Sequence, residues 1–165
     1  MKKKYLDAYI DVAERFGKLS SAVRLKVGAI AVKDDRIVSI GYNGTPHGWD
    51  NDCETRIYME DDRDNWQGVD NLSEQYPYLD EAGKSYRLTS KPEVLHAESN
   101  CISKLARSPE SGDGAAMFVT HAPCIDCAKL IYQSGIAVVY YKHRYRDTAG
   151  IKFLEKCGIP VTQLA

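Results

Sequence analysis

His96 and Glu98 stand two residues apart in LHAESNCISKL (95–105), and Cys124 and Cys127 stand three apart in PCIDC (123–127). In mid-helix, side chains two apart point to nearly opposite sides of the axis. His96 and Glu98 can therefore share a site only where the segment is just entering its helix. Two cysteines three apart at a helix start lie on one face, and the helix N-terminus favours their thiolate forms. Pro123 fits the beginning of such a helix. One imidazole nitrogen and two thiolates suit zinc, and three protein ligands leave a fourth position open for water, as hydrolytic zinc sites require. Glu98 is then placed to carry protons beside that water.

Each half of this pattern is weak alone. A Cys-x-x-Cys also serves as a redox pair or as half of a zinc finger. A finger needs a second close ligand pair, and Cys53, Cys101 and Cys157 stand singly. A redox pair usually follows an early strand, without a His-x-Glu upstream of it. Together, His-x-Glu followed by Pro-Cys-x-x-Cys is the signature of zinc nucleobase deaminases. The chemistry it implies is hydrolytic: Glu98 takes a proton from water, passes it to a ring nitrogen, and later carries one to departing ammonia.

The elements that must position these residues follow from periodicity. Residues 3–18 repeat Leu6, Tyr9, Ile10, Ala13 and Phe16 at helical spacing and end at Gly17. VGAIAV (27–32) and RIVSIGYNG (36–44) flank Lys33-Asp34-Asp35 as a hairpin. Beyond the insertion, the pattern predicts a helix over 94–107, a strand over 115–120, a helix over 123–135 and a strand over 136–142. A helix over 148–158 and a short strand in IPVTQL complete it. This order predicts an α/β fold, a three-layer α-β-α sandwich with a mixed five-stranded sheet, in one domain over 1–165. An insertion at about 46–93 interrupts it. That stretch is polar, acidic and aromatic without a sustained period, and is expected to pack around Trp49, Trp66, Tyr76 and Tyr78, with short helices.

Composition narrows the class of partner. The chain of 165 residues carries a formal net charge of −1, which provides no long-range field for nucleic acid. No apolar run approaches the roughly 20 residues that cross a bilayer, and MKKK leads into an amphipathic pattern, not an apolar signal segment. An odd number of cysteines, five, argues against a disulfide framework and points to the cytoplasm.

RLKVGAIAV, GYNGTPHG, HAESNCI, VTHAPCIDCAKLIYQSGI and VVYYKHRY together resemble the deoxycytidylate (dCMP) deaminase family of the cytidine deaminase superfamily, in its allosteric phage and bacterial form. The resemblance implies conversion of dCMP to dUMP in a homohexamer, activated by dCTP with Mg²⁺ and inhibited by dTTP. It places Arg24 at the nucleotide 5′-phosphate, where a bidentate guanidinium would favour nucleotide over nucleoside. It sets Asn43, Ala97 and Tyr145 at the sugar, base or phosphate. It also puts Tyr42, Gly44, His47, Arg107 and His121 near effector or pocket. Alone, Arg24 would be a solvated surface charge, Asn43 a turn asparagine, Tyr145 a core tyrosine and Arg107 a helix C-terminal cation. Cys101 and Cys157 are expected in the core and His143 at the surface. Some family members carry a second, structural zinc, but Ala22 and Val94 replace two of its ligands beside Cys53, so one zinc per chain is expected. The alternatives are a cytidine deaminase, a tRNA adenosine deaminase, and a deaminase-like zinc module without catalysis. Net charge −1 opposes the tRNA enzyme, and Glu98 opposes the inert module, since structural zinc needs no proton carrier.

Overall fold

A computed structural model describes residues 1–66 and 71–165. Helix α1 (Lys3–Gly17) precedes strands β1 (Gly28–Lys33) and β2 (Arg36–Tyr42). The turn between them is made by Asp34 and Asp35 alone, both at positive φ (50° and 57°), with Lys33 opposite Arg36. Aspartate tolerates that region, and such two-residue loops match the twist of the paired strands.

After the insertion come α3 (Ala97–Leu105), β6 (Ala116–His121), α4 (Ile125–Gln133), β7 (Val138–His143), α5 (Ala149–Lys156) and β8 (Val161–Gln163). The main sheet has five strands in the order β2-β1-β6-β7-β8. β1 runs antiparallel to β2 and β6, whereas β6, β7 and β8 are parallel, so the sheet is mixed. Alternation along each strand sends one set of side chains to each face. Ala29, Ala31, Met117, Val119 and Val139 pack against α3, α4 and α5 through Ala97, Cys101, Ala128, Ile131 and Leu154. Ile30, Val32 and Phe118 pack on α1 through Ile10 and Ala13. The result is the three-layer arrangement, with three helices on one face and α1 on the other.

Small residues let the layers close tightly where the chemistry lies. A Cβ on Gly41 in β2 would overlap the Ala97 carbonyl and stand 2.6 Å from the Cys101 amide nitrogen, so glycine brings the sheet against the first turn of α3. Gly150 in α5 does the same for α4: a Cβ there would overlap the Pro123 carbonyl and stand 2.7 Å from that of Cys124.

The insertion departs from expectation. It contains a second, three-stranded antiparallel sheet in the order β3-β5-β4, from β3 (Glu54–Tyr58), β4 (Tyr78–Leu79) and β5 (Ser85–Ser90). Two 3₁₀ turns (Met59–Asp61 and Arg63–Asn65) and the one-turn helix α2 (Leu72–Gln75) are its helical parts. Trp49 is 57% exposed and packs nothing of the kind expected. Tyr76 is buried, its hydroxyl donating to Asp62 (2.9 Å), which also pairs with Arg87 (2.7 Å). Tyr78 stacks on Tyr86 (5.5 Å between centroids). Aromatic ladder and ion pairs hold the strands, so the segment lacks the apolar alternation that announces a strand in sequence. No helix among the described residues is long and apolar enough to cross a membrane.

Candidate active site

His96 is the N-cap of α3, with extended backbone (φ −77°, ψ 154°), and Glu98 lies in the first helical turn. This change of conformation between them is what lets residues two apart face one site. Cys124 is likewise the N-cap of α4 (φ −71°, ψ 170°), with Cys127 in its first turn. The two helices thus present their N-termini to a common point. Gly44 fixes the approach to His96, exchanging two backbone hydrogen bonds with Leu95 (3.1 and 2.9 Å).

His96 Nδ1 lies 3.4 Å from Cys127 Sγ and 3.6 Å from Cys124 Sγ. Tetrahedral zinc with bonds of about 2.0 Å to nitrogen and 2.3 Å to sulfur requires N···S edges of roughly 3.5 Å. Donor types and spacing both fit that ion. The three donor atoms all lie within 4.8 Å of one another. Cys53 is buried elsewhere, its sulfur 3.3 Å from the Ser21 hydroxyl.

Electrostatics agree with the donor set. Hydrogen bonds from Cys127 and His96 lower the Cys124 thiol to about 4, a thiolate at neutral pH. The Cys127 thiol is pushed up because it keeps the proton it shares with that thiolate. His96 is raised by its contact with Cys124. Glu98 is only 4% exposed, and burial raises its pKa, favouring the protonated carboxyl.

A cavity of about 280 Å³ opens over these residues. Arg24, Asn43, Ala97, Tyr145 and His121 line it with His96, Glu98 and Cys124. Asn43 first serves the fold: its Oδ1 accepts from the Val27 amide and its Nδ2 donates to the Leu25 carbonyl, both at 2.8 Å. Tyr145 is half-buried against the core. Tyr42, Gly44, His47 and Arg107 do not line the cavity. Tyr42 lies under Lys104 Nζ (5.9 Å from its ring), and His47 and Arg107 are exposed. α3 stops at Leu105, so Arg107 stands beyond its end. Cys101 is buried, whereas Cys157 is only half-buried and His143 is exposed.

The insertion contributes to the site without any signal in its sequence. Ser90, Lys91 and Pro92 from the insertion, with Val94 just beyond it, form part of the cavity wall. Glu54, buried at the start of β3, accepts at one oxygen from the amides of Val23 (3.0 Å) and Arg24 (3.1 Å). An isolated glutamate in an acidic stretch gives no signal of that duty in sequence.

Residues 2–143 match the family model of the cytidine and deoxycytidylate deaminase zinc-binding region, and the chain belongs to that family. Among its relatives is the deoxycytidylate deaminase of Enterobacteria phage T2, 36% identical over 152 residues (82% of this chain and 78% of the relative). ComE operon protein 2 of Bacillus subtilis is 32% identical over 146 residues, which cover 88% of this chain but 63% of that protein. The crystal structure of the dCMP deaminase from cyanophage S-TIM5, in complex with dCMP and dUMP, superposes with a TM-score of 0.78 at 39% identity over 99% of both chains.

Proposed function

We propose that this chain deaminates dCMP to dUMP and ammonia, supplying dUMP for dTMP synthesis. The observation that carries the reading is one cavity lined by Glu98, Arg24 and two members of the donor set, His96 and Cys124, with the third, Cys127, beside them. The phage and cyanophage relatives named as dCMP deaminases support the choice of substrate.

Bound at His96, Cys124 and Cys127, zinc would supply the Lewis acidity that makes water nucleophilic at neutral pH. Glu98 takes the proton of the attacking water and gives it to N3 of the cytosine ring, which makes C4 electrophilic. It then delivers a proton to the C4 amino group, which leaves as ammonia while the carbonyl of uracil forms. Burial raises the proton affinity of Glu98, suiting it to both transfers. Asn43 and Tyr145 orient the deoxyribose and its phosphate, the backbone at Ala97 meets the base, and Arg24 pairs with the phosphate. Activation by dCTP–Mg²⁺ and inhibition by dTTP in a cytoplasmic homohexamer complete the proposal, with Tyr42, Gly44, His47, Arg107 and His121 as the residues to test for effector response.

Ammonia release from dCMP, deoxycytidine and dCTP, each with and without dCTP–Mg²⁺ as effector, tests it directly. Turnover of dCMP, stimulated by dCTP and lost in Glu98→Gln, is expected. No turnover of any of the three by zinc-loaded protein would sink it.

A further inference from the structure

We infer that Ser90 and Lys91, at the end of β5 in the inserted sheet, complete the 5′-phosphate subsite with Arg24. The inference rests on the nucleotide reading above and assigns the insertion a part in choosing nucleotide over nucleoside.

All three residues line the cavity that holds Glu98. The Arg24 guanidinium donates to Ser90 Oγ (3.3 Å), so the serine oxygen is occupied as an acceptor and its proton is available to donate. Its natural recipient is an anion beside the guanidinium. Lys91 lines the same wall, and its ammonium, turned from Asp52 toward the cavity, would add a second positive charge to match the near-dianionic charge of a phosphate monoester. Its side chain is 23% exposed and its ammonium rests 2.9 Å from Asp52, whose own side chain is 66% exposed. A solvent-exposed ion pair of this kind is worth little, so a phosphate can displace Asp52 at small cost. The Lys91 backbone is fixed, its amide donating to the Cys53 carbonyl (3.0 Å), so the side chain is presented from a set position.

Calorimetric titration of the zinc-loaded protein with dUMP and with deoxyuridine reads the subsite without turnover. Wild type should prefer dUMP. Lys91→Met and Ser90→Ala should each lose about tenfold or more of dUMP affinity, the worth of a hydrogen bond to a charged group, with deoxyuridine affinity unchanged. Lys91→Arg should restore it. Asp52→Asn separates a phosphate ligand from a purely structural ion pair: it should keep or tighten dUMP binding, whereas a structural pair predicts loss. Lys84→Met, which removes an exposed ion pair with Glu60, controls for charge alone. Wild type that binds dUMP no better than deoxyuridine would overturn the nucleotide reading and the subsite with it. Wild type that prefers dUMP, with the preference intact in Lys91→Met and Ser90→Ala, would overturn the subsite alone.

Discussion

Glu54 and Ser90 face each other across β3 and β5, and between them they hold Arg24 at both ends. Glu54 takes the Arg24 backbone amide, and Ser90 takes the guanidinium. Glu54→Ala would leave two partly buried N–H groups without their acceptor, at about 1–3 kcal/mol each. The expected result is a lower melting temperature together with a raised KM for dCMP, while KM for deoxycytidine changes less. Steady-state kinetics on both substrates checks it, and an equal rise for both would remove Glu54 from phosphate recognition.

Glu98→Gln keeps the shape of the buried side chain and removes its ability to take a proton. We expect kcat to fall by about 10²–10⁴-fold, the usual worth of a positioned acid–base group, with zinc content unchanged. Elemental analysis beside the kinetics separates the two effects. Activity within a few-fold of wild type would show that another group carries the proton.

Gly150→Ala sets two known magnitudes against each other. Alanine gains about 1 kcal/mol over glycine in a helix interior and less in the first turn, where Gly150 stands, but a Cβ here overlaps the Pro123 carbonyl and crowds that of Cys124. Overpacking of that kind costs about 1–3 kcal/mol or more. The collision should win: lower thermal stability, and weaker zinc retention in chelator competition because Cys124 is displaced. A more stable variant with normal zinc affinity would show that α5 can shift without disturbing α4.

His121 predicts a pH dependence. Burial, then the neighbouring His143, lowers its pKa below the ordinary 6.5. The Thr120 hydroxyl (3.0 Å from Nδ1), Glu14 and His143 are the groups that face it. In the window below 6.5 the unfolded chain binds more protons at this site than the folded one. This contribution to stability is therefore intact above 6.5 and lost as pH falls through the lower folded value. Thermal midpoints at pH 7.5 and 5.5 should fall less in His121→Asn than in wild type. An identical fall in both would remove His121 as a source.

What could be read from the sequence was what depends on near neighbours. The apolar period placed α1 and the paired strands, and the spacings of His96–Glu98 and Cys124–Cys127 named a donor set, because those relationships span at most a turn of helix. The sheet in the insertion was illegible because Tyr58, Tyr78, Tyr86 and Arg56 stack along it without an apolar face. The cavity wall was hidden for another reason. Arg24 meets Ser90 across 66 residues and Val23 meets Glu54 across 31, contacts that exist only once the second sheet has docked.

Asn43 bears on how fast a nucleotide can arrive. With its amide already joined to the Leu25 carbonyl and the Val27 amide, the loop between α1 and β1 is braced on the pocket side before any substrate comes. One amide hydrogen and one lone pair of Asn43 remain for a ligand. That loop does not have to be ordered in the encounter, so its share of the entropy cost of binding is small. Association should therefore not wait on this loop to close.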